Sequence, residues 1–283
     1  MPSPVLLVSS DHAKNRGRVK PHVIFSIAAA FLLLRSAVVA ETQPNLARGS
    51  TIAITFPEMP ATFYVLMHPE KKLPTQISIF LPHNYSVARK FPLLIFLGGG
   101  DGGDGANPGI ARALSEEKDF ICVGVPLFKA DDPKTPGNFI VRPPDGAYMW
   151  PYFRTMLAKV DAAVPNIDPA RQILGGFSNG AHATAALIDG SNGEITGRFA
   201  AFFFAEGGGH LEHYDQLAGK PVLMLASSAK SKPRAEEILN TAKSAGAIGT
   251  FVFQDAGHHD FPKEAYPAVR AWLRSAAHVE GAD

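Results

Sequence analysis

Residues 171–183 of the 283-residue chain read RQILGGFSNGAHA and contain the pentapeptide Gly176-Phe177-Ser178-Asn179-Gly180. An apolar, strand-like run precedes the pentapeptide, and a run of small residues typical of a helix follows it. Gly-x-Ser-x-Gly between a strand and a helix is the pattern of a nucleophilic serine on a sharp turn. Both glycines are needed because a Cβ at either position would collide with the strand or the helix. The pattern therefore predicts Ser178 as a nucleophile.

Short apolar runs rich in β-forming residues recur on both sides of this motif. They lie at residues 50–56, 63–67, 77–81, 93–97, 121–125, 172–175, 199–204, 222–226 and 250–253. From about residue 90 they alternate with helical patterns at residues 148–164, 181–188, 233–245 and 262–277, the last two with Pro233 and Pro262 in the first turn. This order predicts an α/β fold whose mostly parallel central sheet has an antiparallel start and helices on both faces.

A serine nucleophile needs a general base, and the sequence offers one near its end. Residues 255–262 read DAGHHDFP and stand between the last strand-like run and the last helical pattern. In the chain order serine, acid, histidine this is the place of the base. His258 directly follows the glycine of the turn, and we favour it over His259 as the base. Two exposed turn histidines without a catalytic role are the alternative interpretation.

Donors for an oxyanion are expected from a glycine-rich loop. Residues 97–105 read LGGGDGGDG directly after the apolar run at residues 93–97. Such a loop lets backbone N–H groups face a developing oxyanion without obstruction by side chains. A phosphate-binding loop is disfavoured because Gly-Lys-Ser/Thr is absent. We expect one donor to be the N–H of Gly100, with Gly99 as the alternative, and the second to be the N–H of Asn179.

These motifs together resemble a known family. Residues 167–171 leading into the pentapeptide, the glycine-rich loop and Gly257-His258 resemble the secreted α/β-hydrolase esterases related to polyhydroxybutyrate depolymerases and feruloyl esterases. The resemblance covers roughly residues 75–275. It implies an α/β-hydrolase fold over residues 41–283 without a separate lid domain. It also implies hydrolysis of a small-molecule or polymer ester through an acyl-enzyme on Ser178, with no metal and no organic cofactor.

The sequence departs from the pattern of this family at two positions. Gly98-Gly99 stands where these enzymes usually have His-Gly, and Lys230 stands where their acidic triad residue is expected. Because lysine cannot accept a hydrogen bond from an imidazole, another carboxylate is required. Glu206, directly after the run at residues 199–204, is the preferred substitute, and a solvated loop carboxylate is its alternative interpretation. Two other functions stay open: a peptidase of the prolyl-oligopeptidase type, and a non-catalytic binding protein motivated by Lys230.

The N-terminal 40 residues have the composition of a secretory signal. Five basic residues stand there against one acidic residue, although the whole chain carries a net charge of only +1. An apolar run at residues 23–34 and small residues up to Ala40 follow, and this order predicts cleavage after Ala40. The mature chain is expected to be secreted or periplasmic, with no membrane association. Its slightly acidic net charge lacks the excess of basic residues expected of a nucleic-acid-binding protein.

The remaining polar and aromatic features carry weaker expectations. Trp150, in an aromatic cluster after the Pro- and Gly-rich residues 129–147, is proposed to line a substrate pocket, and packing in the core is its alternative. The long loop itself is expected beside the ligand crevice. His210 and His213 are spaced unlike a zinc helix, so a metal site is not expected. Cys122 is the single cysteine, and its apolar surroundings predict a buried thiol.

Overall fold

The computed structural model describes residues 46–58, 76–100, 106–127, 129, 134, 137–256 and 261–279. The proposed signal segment, residues 1–40, and the strand-like run at residues 63–67 lie outside this part of the chain.

An eight-stranded sheet forms the centre of the described part. Its strands are β1 (Thr51–Thr55), β2 (Gln76–Phe80), β3 (Phe91–Leu97), β4 (Ile121–Gly124), β5 (Ile167–Phe177), β6 (Ala201–Ala205), β7 (Pro221–Ala226) and β8 (Ile248–Phe253). Their order across the sheet is β1-β2-β4-β3-β5-β6-β7-β8. β2 pairs antiparallel with both β1 and β4, and all other neighbours are parallel. The predicted parallel sheet with an antiparallel start is confirmed.

Helices cover both faces of the sheet. They are α1 (Gly109–Ser115), α2 (Asp145–Ala163), α3 (Asn179–Gly190), α4 (Glu194–Arg198), α5 (Lys232–Ser244) and α6 (Tyr266–Ala276). α2, α3 and α5 bury apolar residues in one core cluster, and α1 and α6 do so in the other. Residues of the central strands alternate between the clusters: Leu93, Ile95 and Leu97 of β3 face the first, and Leu94 and Phe96 face the second. Burial on both faces explains why these strands read as continuous apolar runs.

The helix predictions were correct in number and place for the four longer candidates, with one error of detail. α1 and α4 were not predicted, because helices of seven and five residues carry too little periodicity to be seen. Pro233 lies in the first turn of α5 as expected. Pro262 does not begin the last helix: its backbone is extended, a short 3₁₀ turn follows, and Pro267 occupies the first turn of α6.

Two further observations bear on the sequence-based expectations. No helix within the described residues is long and apolar enough to cross a membrane. Cys122 in β4 is fully buried and not in a disulfide, and burial raises the pKa of its thiol to about 12. The prediction of a buried core thiol is therefore confirmed.

Candidate active site

Ser178 joins β5 to α3 in a strained backbone conformation. Its φ of 53° and ψ of −116° lie outside the regions that residues with a side chain ordinarily adopt. The Ser178 N–H donates to the carbonyl of Ala205 at 2.7 Å, and the Ser178 carbonyl accepts from the N–H groups of Ala181 and His182 at 3.0 and 3.1 Å. Hydrogen bonds to β6 and α3 thus hold the turn in place. Such strain persists only where the surrounding structure fixes it, and it concentrates at functional sites.

The glycines on either side of Ser178 are required by close backbone approaches. A Cβ at Gly176 would lie 2.3 Å from the carbonyl group of Gly180, at the start of α3. A Cβ at Gly180 would lie 2.1 Å from the carbonyl oxygen of Leu97, at the end of β3. No side chain fits at these distances. The reason given for the glycines from the sequence is therefore confirmed, with the end of β3 rather than β5 as the neighbour of Gly180.

The side chain of Asn179 connects the turn to two distant loops. It is completely buried. Its Nδ2 donates to the carbonyl oxygens of Gly100 at 2.8 Å and Phe139 at 2.9 Å, and its Oδ1 accepts from the N–H of Val141 at 2.7 Å. Sequence reasoning used only the backbone N–H of Asn179 and missed this side chain, because the motif leaves its position open. The long loop before α2 is nevertheless found beside the turn, as expected.

Gly100 lies at the carboxyl end of β3, next to the serine turn. Its φ is +57°, and its carbonyl faces the Asn179 side chain. Gly99 packs against the ring of Phe177, since a Cβ there would come within 2.7 Å of it. Residues 101–105 lie outside the described part of the chain. The structure therefore brings the predicted oxyanion loop and the predicted second donor, Asn179, into direct contact.

Glu206 directly follows β6 and lies between two residues that contact Ser178. Ala205 accepts the Ser178 N–H, and a Cβ at Gly207 would lie 2.5 Å from the Ser178 carbonyl oxygen. The backbone of Glu206 has a φ of 52°, and its N–H donates to the carbonyl of Leu225 at 2.9 Å. Like Ser178, it is held in an unusual conformation by neighbouring strands. The structure thus places the backbone of Glu206 between two residues that contact the proposed nucleophile.

The segment after β7 contributes donors rather than an acid. The Glu206 Oε1 accepts a hydrogen bond from the N–H of Ser227 and another, at 2.7 Å, from the hydroxyl of Ser231. These serines belong to the stretch where the family resemblance places the acid and where this chain has Lys230. Sequence reasoning noticed the missing acid but not that the same stretch could hold a carboxylate supplied by β6. The signal was the serine content of residues 227–231.

His258 and its alternative His259 lie outside the described residues, but both ends of their loop are placed. The N–H of Ala256 donates to the carbonyl of Ser227 at 2.9 Å, so the loop begins beside a residue that binds Glu206. It ends at Phe261, whose ring packs on that of Phe177 with centroids 6.0 Å apart. The described residues at its two ends thus contact Ser227, a partner of Glu206, and Phe177, the residue before Ser178.

Trp150 lies in α2 and packs in the core. Its indole N–H donates to the carboxylate of Glu194 at 3.1 Å, and its ring contacts that of Phe153. Its side chain is mostly buried in the cluster formed by α2, α3 and α5. Trp150 is not among the described residues that line the cavity containing Glu206.

A cavity of about 610 Å³ opens beside Glu206. Its walls come from α3, the loop after β6, the segment after β7 and the first turns of α5, with the side chains of His182, Glu206, His210, Lys230, Arg234 and Ile238 among them. The rings of His182 and His210 lie 4.6 Å apart, and the N–H of Gly208 donates to His182 Nδ1 at 3.3 Å. His182 therefore faces the cavity and also packs against His210. No group of three or more potential metal ligands comes together within the described residues.

The loop after β6 is anchored to the far end of α3. Asp189 accepts the N–H groups of Glu212 and His213 at 3.0 and 2.9 Å. Burial raises the pKa of the Asp189 carboxyl, and the two N–H groups oppose that shift. The helix that follows Ser178 thus also fixes, from its opposite end, the loop that carries Glu206.

Comparisons with known proteins support the architecture. Neither protein-family models nor curated proteins match the sequence. Among solved structures, a carboxylesterase cloned from a metagenomic library matches with a TM-score of 0.55 and 16% identity over 82% of this chain and 90% of that one. A ferulic acid esterase matches with a TM-score of 0.53 and 15% identity over 83% of this chain and 99% of that one. The chain has the α/β-hydrolase fold.

The same fold occurs in a longer protein. A putative dipeptidyl aminopeptidase IV from Bacteroides ovatus matches with a TM-score of 0.52 and 12% identity over 80% of this chain. The present chain spans only 36% of that protein's length. At these identities the likeness concerns the fold alone, and function has to be argued from the site.

Proposed function

We propose that the protein is a serine hydrolase that cleaves a carboxylic ester through an acyl-enzyme on Ser178. The observation that carries the proposal is the conformation of Ser178, with φ 53° and ψ −116° on a strand-to-helix turn. A serine with a purely structural role has no need of a strained backbone, whereas a nucleophile gains exposure of its hydroxyl at the edge of the sheet. The turn brings other backbone atoms so close to Gly176 and Gly180 that neither position could carry a side chain.

The reaction assigns one role to each group. The Ser178 hydroxyl attacks the acyl carbon while His258 takes its proton. The N–H groups of Asn179 and Gly100 stabilise the oxyanion of the tetrahedral intermediate. The C–O bond to the alcohol then breaks, and the leaving oxygen takes the proton from His258. Water repeats the sequence on the acyl-enzyme and releases the acid and free Ser178.

Glu206 orients the imidazole in this proposal. The N–H of Ser227 and the hydroxyl of Ser231 both hold the Oε1 of Glu206 in place. The loop that carries His258 begins at a hydrogen bond to Ser227. A carboxylate at this place can stabilise the imidazolium that forms during attack. It takes the role that Lys230 cannot fill, which favours an enzyme over a non-catalytic binding protein.

The proposal is tested at the serine itself. The purified protein is incubated with a fluorophosphonate probe and, separately, with 4-nitrophenyl acetate. We expect labelling of the wild type and turnover of the ester, and loss of both in Ser178→Ala. Ser244→Ala, an exposed serine in the last turn of α5, is the matched control and should keep both. Labelling that persists in Ser178→Ala, or an unlabelled wild type without turnover, contradicts the proposal.

The peptidase alternative is separated by the substrate. A 4-nitroanilide of the same acyl group presents an amide in place of the ester. An esterase is expected to hydrolyse the ester far faster than the anilide, and the reverse result favours the peptidase.

Export of the protein is proposed from residues 1–40. A basic stretch, a short apolar run and small residues up to Ala40 motivate it. The mature protein is expected to begin at Glu41 when recovered from the periplasm or medium. N-terminal sequencing by mass spectrometry checks this, and an intact N-terminus in the exported protein contradicts cleavage at this position.

A further inference from the structure

The cavity beside Glu206 shares a wall with the proposed nucleophile. Gly207 lines it and packs on the carbonyl of Ser178. A molecule in this cavity therefore lies one residue away from the serine turn. With a volume of about 610 Å³ the cavity is large enough for either the acyl group or the alcohol group of a small ester.

Cationic side chains dominate the charge of this cavity. Among its described lining residues, Lys230 and Arg234 are basic and Glu206 is the single carboxylate. The Oε1 of Glu206 accepts hydrogen bonds from the N–H of Ser227 and the hydroxyl of Ser231 and is therefore directed towards these donors. No hydrogen bond or ion pair involves Lys230 within the described part of the chain. Its ammonium group is thus available to a ligand.

Arg234 is held in position over the same cavity. Its Nη2 donates to the carbonyl of Gly209 at 3.1 Å, and its Nη1 pairs with Glu237 at 2.6 Å. A guanidinium group has five N–H donors, so these two bonds leave others for a ligand. Ala235 and Ile238, one and four positions further along α5, line the cavity with apolar surface. The cavity thus combines two basic groups with an apolar wall.

We propose that this cavity is a substrate subsite that binds a carboxylate carried by the ester, with the carbon chain of that group against Ala235 and Ile238. Lys230 and Arg234 supply the positive charge. The inference rests on the proposed ester hydrolysis and adds a substrate class to it. In this view Lys230, which stands where the family resemblance places an acid, determines specificity.

Matched ester pairs test the subsite. On the alcohol side, 4-acetoxybenzoate is compared with neutral 4-acetoxybenzamide. On the acyl side, the mono-4-nitrophenyl ester of glutarate is compared with neutral 4-nitrophenyl pentanoate. We expect kcat/KM to be about tenfold higher for the anionic member of the pair whose charged group enters the cavity, because each solvent-accessible ion pair contributes modestly. The ratio should fall to about threefold in Lys230→Met, in which Arg234 remains, and towards one in about 0.5 M NaCl.

A control variant and a binding measurement complete the test. Lys243→Met removes the same charge from the last turn of α5 and should leave the ratio unchanged. Calorimetric titration with glutarate should show a dissociation constant raised about threefold in Lys230→Met. Equal rates within both pairs, or glutarate binding that does not depend on Lys230, overturns the subsite. Absence of any ester turnover, with glutarate binding that does depend on Lys230, overturns the proposed function and leaves the subsite standing.

Discussion

Three hydrogen bonds converge on the buried side chain of Asn179 and join segments far apart in the sequence. Gly100 lies 79 residues before it, and Phe139 and Val141 lie 40 and 38 residues before it. The side chain of Asn179 thus holds Gly100 next to Ser178, whereas the proposed mechanism uses the backbone N–H of Asn179 as an oxyanion donor. The pentapeptide predicts the backbone role, whereas the partners of the side chain depend on loops whose positions only the fold determines.

Replacing Asn179 by alanine should impair turnover more than binding. Asn179→Ala leaves the N–H of Val141 and the carbonyls of Gly100 and Phe139 without this partner. The variant loses the hydrogen bond that holds Gly100, the proposed oxyanion donor. We therefore expect kcat to fall by about 10²-fold, as when an oxyanion donor is removed, with a small change in KM. The free energy of unfolding should fall by about 2–3 kcal/mol, since buried polar groups lose their hydrogen bonds.

Kinetics and urea unfolding of the same preparations separate the two effects. Asn240→Ala, at an exposed site on α5, is the control and should change neither. A fall in stability with unchanged kcat in the folded fraction would show that Asn179 acts on the fold alone.

Glu206→Gln tests the acid without removing its local hydrogen bonds. The amide oxygen can still accept from Ser227 and Ser231, so the fold should be kept, but the negative charge is lost. We expect kcat for 4-nitrophenyl acetate to fall by about 10³–10⁴-fold, because a neutral partner does not stabilise the imidazolium.

Thermal unfolding should be nearly unchanged, and Glu212→Gln, an exposed carboxylate in the same loop, is the control for turnover. Full activity in Glu206→Gln would remove this residue from the mechanism and leave the role of Ser178 untouched.

At the scale of elements, the sequence was most informative where a pattern is local. Short apolar runs predicted the eight strands of the described sheet. Runs such as that of β3 are continuous because strands covered on both faces need apolar residues at successive positions. The short helices α1 and α4 were not predicted, and neither was the start of α6 at Tyr266. Contacts between elements, such as Ser227 with Glu206, depend on β6 and β7 being neighbours and could not be predicted from either segment alone.

An ion cluster that joins the end of β2 to α1 predicts a pH dependence of stability. Glu117 accepts hydrogen bonds from Arg112 at 2.6 and 3.0 Å and pairs with His83 at 2.8 Å. The guanidinium of Arg112, followed by His83, holds the pKa of the Glu117 carboxyl below its ordinary value of 4.5. A carboxyl with a lowered pKa stabilises the folded state fully above the ordinary value. That stabilisation is lost as the pH falls through 4.5 towards the lowered pKa.

Glu117→Gln should therefore lower the free energy of unfolding at pH 7 by about 0.5–1 kcal/mol, a small amount because the cluster is partly exposed to solvent. The difference from the wild type should shrink as the pH falls below 4.5. Urea unfolding at several pH values measures it, with Glu236→Gln on α5 as a surface control. A difference that grows on acidification contradicts the assignment.

At the scale of the whole molecule, the sheet order brings the chemistry to one edge. Gly100, Ser178 and Glu206 follow β3, β5 and β6, which are neighbours in the sheet, and the loop of His258 follows β8. Because these strands are parallel, their carboxyl ends meet at the same edge. Gly100, Ser178 and Glu206, which span about 100 residues of sequence, thus lie at one edge of the sheet. The sequence motifs pointed to Gly100, Ser178 and Glu206. The fold supplies the side chain of Asn179, which binds the carbonyl of Gly100, and the N–H of Ser227 and the hydroxyl of Ser231, which bind Glu206.

The single cysteine reports on the integrity of the whole sheet. Cys122 lies in β4, fully buried between β2 and β3, with its sulfur 3.3 Å from the hydroxyl of Ser115 in α1. Burial raises the pKa of its thiol to about 12, so almost none is thiolate at pH 8. A thiol reagent such as 5,5′-dithiobis(2-nitrobenzoate) should therefore react with the native protein only through opening of the sheet.

We expect the extent of labelling in urea to follow the loss of secondary structure measured by circular dichroism. Ser244→Cys, with an exposed second thiol, should gain one rapidly reacting group under native conditions while Cys122 stays unreactive. Rapid labelling of the wild type in native buffer would contradict the packing of β4, because a thiol enclosed by two strands and a helix cannot reach the reagent without separating them.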